Sequence, residues 1–355
     1  MPTLLSSPHA VRLNRTDWQM LQVILALLPG LVAMIYYFGW GVLINALLAS
    51  AFAVAFESAV LYLRDRPILP TIRDGSALVT ALLFALAVPP TLPWWLTLLG
   101  IFFAIVIVKQ LYGGLGYNPF NPAMAGYVFL LISYPLAMTN WLPPAVPELL
   151  QAKDLVSLSF LDSLRLIFTG ELPPHLSWDA VSAATPLDEM FTKLDQDIMI
   201  SEIRQSPLWG DFGGRGWEWV DNWFLLGGLF LLWRKVIRWR IPVAMLLGIL
   251  IPAGLFWLYD PQVFPYPAFH IFAGGTVLGA FFIATDPVTA STTPKGQLIY
   301  GAAIGLLVFI IRHWGGYPDA VAFSVLLMNI AVPTIDHYTQ PRVFGQPLGS
   351  GRDQE

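Results

Sequence analysis

The residues whose types and spacing could carry chemistry begin with Asp179-Ala180-Val181-Ser182-Ala183-Ala184-Thr185-Pro186-Leu187. Thr185 precedes a proline, whose ring pushes the residue before it towards extended backbone. Ala183 and Ala184 give the Thr185 hydroxyl almost no steric shield. An oxygen presented in this way can reach into another enzyme's active site and be modified there. The same residue types also fit a helix boundary, with Ser182 or Thr185 as the cap. The chain has no cysteine, so no disulfide forms and no thiolate can ligate zinc or an iron–sulfur cluster. Any redox role must rest on an organic cofactor or a haem, and no protein-ligated metal ion is expected.

Five further candidates are scattered along the chain. Glu57 closes a charge-free run over 18–56. An ionisable residue at membrane depth marks a functional site by default, here an ion pathway. Arg64, seven residues on and on the same helical face, offers structural pairing instead. The loop Gly113-Gly114-Leu115-Gly116-Tyr117-Asn118-Pro119-Phe120-Asn121-Pro122-Ala123 reads either as a cofactor-lining turn or as an ordinary connection. Thr285-Asp286-Pro287-Val288-Thr289 invites the same two readings, and Ser291, Thr292 and Thr293 add oxygens for an ion or a flavin. His270 and His313 fit a facing haem-ligand pair or two ordinary interface residues. Gly210 to Gly216 is glycine-rich without a preceding strand, which favours a flexible turn over a phosphate loop.

The elements that must position these residues are set by composition. Of 355 residues, 56% are hydrophobic and only 12% charged, against about 25% charged in a soluble domain. No charge occurs in 18–56, 75–108, 110–147, 241–259, 261–285, 296–311 or 320–335. A bilayer core takes about 20 apolar residues per helix. The chain therefore reads as an all-α integral membrane protein, in contact with the lipid bilayer, which excludes a soluble enzyme and a nucleic-acid binder. Ten spans are expected, at roughly 18–38, 41–61, 76–93, 94–112, 122–142, 219–235, 241–258, 267–285, 297–313 and 318–335. The first span reads as retained rather than as a cleaved signal.

With the N-terminus inside, ten spans place 13 of the 19 basic residues on the cytoplasmic side, Arg12, Arg15, Arg342 and Arg352 among them. Both termini are then cytoplasmic. Three parts result: a first five-helix half over 1–143, an extracytoplasmic insertion over 144–218, and a second five-helix half with a short tail over 219–355. Residues 144–219 hold 12 acidic against 5 basic residues and helical apolar spacing in Leu155 to Phe168, as in a small folded cap. The halves are weakly alike: Gly116-Tyr117-Asn118-Pro119 matches Gly316-Tyr317-Pro318-Asp319, and the Ser76–Trp95 stretch matches Gly274–Thr293. An offset of five spans makes this an inverted repeat, a pattern also common in transporters. A transporter or channel for a small polar solute is thus the second reading.

Asp-x-x-Ser-x-Ala-Thr at 179–185 resembles the acceptor motif of flavin transferases, which join FMN to the threonine through a phosphoester. Together with the Gly113–Ala123 and Thr285–Thr289 loops and the span pattern, most of the chain resembles the NqrB/RnfD family. That family includes the RnfD component of the Rnf ion-translocating oxidoreductase and the NqrB component of the sodium-pumping NADH:quinone reductase. The short length and small insertion are similar to the Rnf branch. The resemblance implies covalent FMN on Thr185, with Asp179, Ser182 and Ala184 recognised by the transferase. It implies a second, noncovalent flavin (riboflavin) that no motif places. It also implies a multi-subunit complex of the ferredoxin/NAD type in the bacterial inner membrane, with a flavin-bearing periplasmic subunit, iron–sulfur subunits and a periplasmic 144–218. Lys193 or Arg204 could fold back onto the flavin phosphate.

Overall fold

A computed structural model describes residues 16–315, 317 and 320–341. Arg12, Arg15, Arg342, Arg352, both termini, and Gly316, Pro318 and Asp319 of the second glycine motif lie outside the described residues. Among the described residues the chain is helical, with no strand beyond one isolated bridge, Trp209 to Gly214. In order it forms α1 (Thr16–Phe38), α2 (Trp40–Leu63), the short α3 (Ile68–Ile72), α4 (Ser76–Ala87) and α5 (Trp94–Phe102). Helix α5 runs on as a π-helix, π1 (Phe103–Gln110). Then come α6 (Pro122–Ser133), α7 (Pro135–Thr139), α8 (Pro147–Ala152), α9 (Phe160–Thr169), α10 (Trp178–Val181), α11 (Pro186–Asp195) and α12 (Ile200–Ile203). The last part holds α13 (Trp217–Trp233), α14 (Arg240–Tyr259), α15 (Phe269–Phe272), α16 (Thr276–Leu278) with a second π segment, π2 (Gly279–Ile283), α17 (Pro294–Trp314) and α18 (Val321–Thr339).

Five of these helices, α1, α2, α14, α17 and α18, are long and apolar enough to cross a membrane. The other expected spans are shorter, and each break has a chemical cause. The 76–93 stretch leaves helix after Ala87, ahead of Pro89-Pro90, because proline lacks the amide hydrogen and clashes with the preceding turn. The 122–142 stretch breaks at Tyr134, before Pro135. Helix α13 has 17 residues, about 26 Å of rise at 1.5 Å per residue. The 267–285 stretch is not one helix but α15, α16 and π2, divided at Ala273-Gly274-Gly275.

Between helices without a strong hydrophobic drive, small residues let backbones approach closely. A Cβ at Gly305 of α17 would collide with the Met245 carbonyl of α14, and one at Gly227 of α13 would collide with the Ala26 carbonyl of α1. The α1–α13 pair, with α6 against α18, ties the first part of the chain to the last. One apolar cluster runs through the helices, from Ala26 and Phe84 to Phe282 and Val325. Segment 144–218 folds as short helices over two small clusters. One joins Leu187, Met190, Ile203 and Trp209 to Phe269. The other joins Leu166 and Val181 to Leu142.

Candidate functional sites at two ends of one helix pair

Thr185 sits at the junction of an extended segment and a helix, as the helix-boundary reading of its sequence expects. Ser182 and Thr185 have extended backbone, and the Ala183 amide donates to the Trp141 carbonyl at 3.1 Å. Thr185 is then the N-cap of α11, with proline at the next position. Its Oγ1 accepts from the Asp188 amide at 3.2 Å while its own amide donates to Asp188 Oδ2 at 3.3 Å, a reciprocal capping box, and Oγ1 also donates to Asp188 Oδ2 at 2.6 Å. Asp179 and Ala184 are exposed, while Ser182 Oγ donates to the Trp178 carbonyl at 2.8 Å and closes α10. The motif thus offers a surface backbone with one half-buried hydroxyl.

That hydroxyl opens onto a cavity between the cap and the helices, about 860 Å³ of space in part continuous with solvent. Tyr127, Met138, Trp141 and Trp217 give it aromatic and thioether walls, and Leu86 of α4 and Leu131 of α6 form its floor. The loop Gly210–Gly216 is packed rather than free. A Cβ on Gly213 would collide with the Phe272 carbonyl, and one on Gly214 would collide with Pro186 Cγ. Neither basic residue considered for a phosphate is turned to Thr185. Lys193 Nζ pairs with Glu189 Oε1 at 2.8 Å, and Arg204 lies over the Tyr266 ring. Burial pushes the Tyr266 phenol up to about 12, against the opposing pull of Arg204.

A second cavity lies at the other ends of α4 and α6 and gathers residues of the two candidate loops. Asn118 and Asn121 from one loop meet Thr285 and Asp286 from the other, with Ser76 and Lys109 beside them and Phe281 and Phe282 as apolar wall. Asn121 caps α6 by accepting from the Met124 amide at 3.2 Å, and its amide donates to Asn329 Oδ1 at 3.1 Å. Asp286 accepts from Thr289 Oγ1 at 2.9 Å. Ser291 and Thr292 instead bind Asp336 of α18, so their oxygens are committed to tying the loop before α17 to that helix. The two cavities are close: Ala123 and Phe282 line one, and their neighbours Met124 and Ile283 line the other.

Glu57 lies outside both linings and is fully buried. Its partner is Lys109, at 2.7 Å, rather than Arg64, whose guanidinium reaches the Gln110 carbonyl at 2.6 Å. The expectation that Glu57 pairs with Arg64 is therefore corrected, because π1 brings Lys109 across from another helix. His270 and His313 pack on one another with centroids 5.2 Å apart, sandwiched with Phe309, which leaves no gap for a haem plane. Arg312 is legible in the sequence only as a charge at a span end. It is buried, donates to the His270 carbonyl at 2.5 Å and to Thr276 Oγ1 at 2.9 Å, and lies behind Gly274 on the wall of the Thr185 cavity.

Comparison with known proteins identifies the family. A family model for the NQR2, RnfD, RnfE family matches residues 3–345. A protein of Yersinia pestis described as the D component of an ion-translocating oxidoreductase complex is 53% identical over 352 residues, covering 97% of this chain and 98% of the relative. Proteins of the same description from Aliivibrio salmonicida (strain LFI1238) and Shigella boydii serotype 18 (strain CDC 3083-94 / BS512) are 52% and 49% identical over 353 residues, each covering 97% of this chain and 98% of the relative. With the match running almost end to end, the chain belongs to the NQR2, RnfD, RnfE family.

Proposed function

We propose that this chain is the flavin-carrying membrane subunit of a multi-subunit complex that couples electron transfer of the ferredoxin/NAD type to ion movement across the bacterial inner membrane. The observation that carries the reading is the half-buried Thr185, set in a partly exposed motif and lining an aromatic-walled cavity. Covalent FMN is the group this arrangement fits. The hydroxyl supplies the ester oxygen, Asp179 and Ala184 are open to the transferase, and Tyr127, Trp141 and Trp217 suit a planar ring. The start of α11, a ten-residue helix, lies beside the phosphate position with its dipole directed to favour an anion. Esterification removes the Thr185 proton, so the bond to Asp188 Oδ2 cannot persist in the modified chain.

The cavity at the far ends of α4 and α6 suits the second, noncovalent flavin. Its phenylalanine wall can stack on a ring, and Lys109, Asn118, Asn121, Thr285 and Asp286 present donors and acceptors to ring edges. When bound, the two flavins supply one- and two-electron chemistry. The chain's part is to hold them apart by a layer of side chains that includes Met124 and Ile283. The close packing of α1 on α13 and of α6 on α18 supports the reading of ten spans as an inverted 5+5 repeat, and the distribution of basic residues supports a periplasmic 144–218 with both termini cytoplasmic. A flavin-bearing periplasmic subunit and iron–sulfur subunits would deliver and accept the electrons, because this chain has no thiolate to hold a cluster. The full-length chain, produced with its transferase and purified, is expected to release one flavin into acid and to keep one on the precipitated polypeptide. Release of all flavin, or retention of none, contradicts the proposal.

A further inference from the structure

Four polar side chains connect in series next to the second cavity. Asp74, partly exposed at the start of α4, accepts from Ser76 Oγ at 2.6 Å. Ser76 Oγ accepts from Lys109 Nζ at 2.7 Å, and the same ammonium donates to Glu57 Oε1 at 2.7 Å. Glu57, Ser76 and Lys109 are all buried, Glu57 completely. The chain ends on an orphan: Glu57 Oε2 is buried and has no hydrogen-bond partner, and the nearby Gln110 Oε1 is in the same state. Two consecutive residues of π1, Lys109 and Gln110, both donate to the single oxygen Glu57 Oε1, at 2.7 Å each. A wide π turn in this place is costly and recurs at functional sites.

A structural ion pair needs neither the serine bridge to a surface carboxylate nor an unfilled acceptor. We propose that Asp74, Ser76, Lys109 and Glu57 form a proton-loading chain, which delivers one proton from the face bearing Asp74 to Glu57 when negative charge is added to the neighbouring cavity. Lys109 and Ser76 line that cavity, so a charge placed there acts directly on the ammonium. The Lys109 ammonium gives a proton to Glu57, an N–H bond breaking as an O–H bond forms. The Ser76 hydroxyl then turns from Asp74 to the neutral Lys109 amine and gives it a proton, an O–H bond breaking as an N–H bond forms, and Ser76 Oγ is reprotonated by Asp74, which takes its proton from solvent. The net result is a neutral Glu57 acid and an unchanged Lys109 cation, which is left free to balance the added electron. Besides these groups, the charges nearby are Arg64 on the Gln110 carbonyl, Arg66 on the Gly113 carbonyl and Asp286 on the cavity's other wall. A low local dielectric makes this compensation strong.

The inference rests on the proposed reducible ligand in that cavity. Its test is reduced-minus-oxidised infrared difference spectroscopy of the assembled complex in membranes, with acid-released flavin measured on the same samples. The parent complex is expected to gain a carboxylic C=O band on reduction, shifted to lower frequency in D2O. Glu57→Asp should move that band. Ser76→Ala, which keeps the ion pair but removes the bridge, should slow its appearance by at least about tenfold. Flavin bands without a carboxylic band, a band indifferent to Glu57→Asp, or unchanged kinetics in Ser76→Ala would overturn the chain while leaving the ligand in place. Absence of acid-released flavin instead strikes the reading of the cavity itself.

Discussion

Replacing Thr185 by valine is expected to remove the covalent flavin completely while the chain still assembles. Valine keeps the volume of threonine but has no oxygen to esterify. The side effect is loss of the N-cap of α11, about 1 kcal/mol, a local cost borne by one helix of the cap, whereas the apolar cluster through the long helices is untouched. In-gel fluorescence of the denatured chain reads the result directly. The signal should vanish in Thr185→Val and persist in Ser182→Ala, which loses a recognition contact and the bond that closes α10 but no ester oxygen. Electron flow through the complex should stop in the first variant. A fluorescent Thr185→Val band, or normal turnover of that variant, would contradict the assignment.

The second large effect is expected at Lys109. Lys109→Met leaves the Glu57 carboxylate buried with one donor, Gln110 Nε2, and no cation. Breaking a buried ion pair by removing one partner typically costs about 3–5 kcal/mol, whereas replacing both by apolar groups is often neutral. The purified complex should therefore melt at clearly lower temperature in Lys109→Met and recover most of the loss in Glu57→Met/Lys109→Met. A single variant as stable as the parent, or a double variant no better than the single, would show that the pair does not hold α2 to π1. Covalent flavin should be retained in both, since Thr185 lies at the opposite ends of α4 and α6.

Much of this is legible in the sequence, for reasons that differ by element. Charge-free runs locate the helices because lipid and a packed interior both exclude unpaired charge. Proline alone does not tell where a span leaves helix: Pro89-Pro90 and Pro135 end helices, yet Pro29 and Pro252 lie inside α1 and α14. The break at Ala273-Gly274-Gly275 is hidden because apolar content continues through it. The Thr185 cap can be found because its signal is local, with Pro186 next and Asp188 three residues on. The second cavity can be suspected only as separate loops, since Asn121 and Asp286, which both line it, belong to opposite halves of the chain. Helical spacing points Glu57 to Arg64, but its partner lies 52 residues away on a π turn that periodicity does not encode. Arg312 carries one available signal, a charge interrupting an otherwise apolar stretch.

The most direct measurement is peptide mass mapping of the purified full-length polypeptide made with its transferase. The account predicts one FMN adduct, on the peptide containing 179–187 and fragmenting to Thr185. An unmodified peptide there, or an adduct on any other side chain, would contradict it.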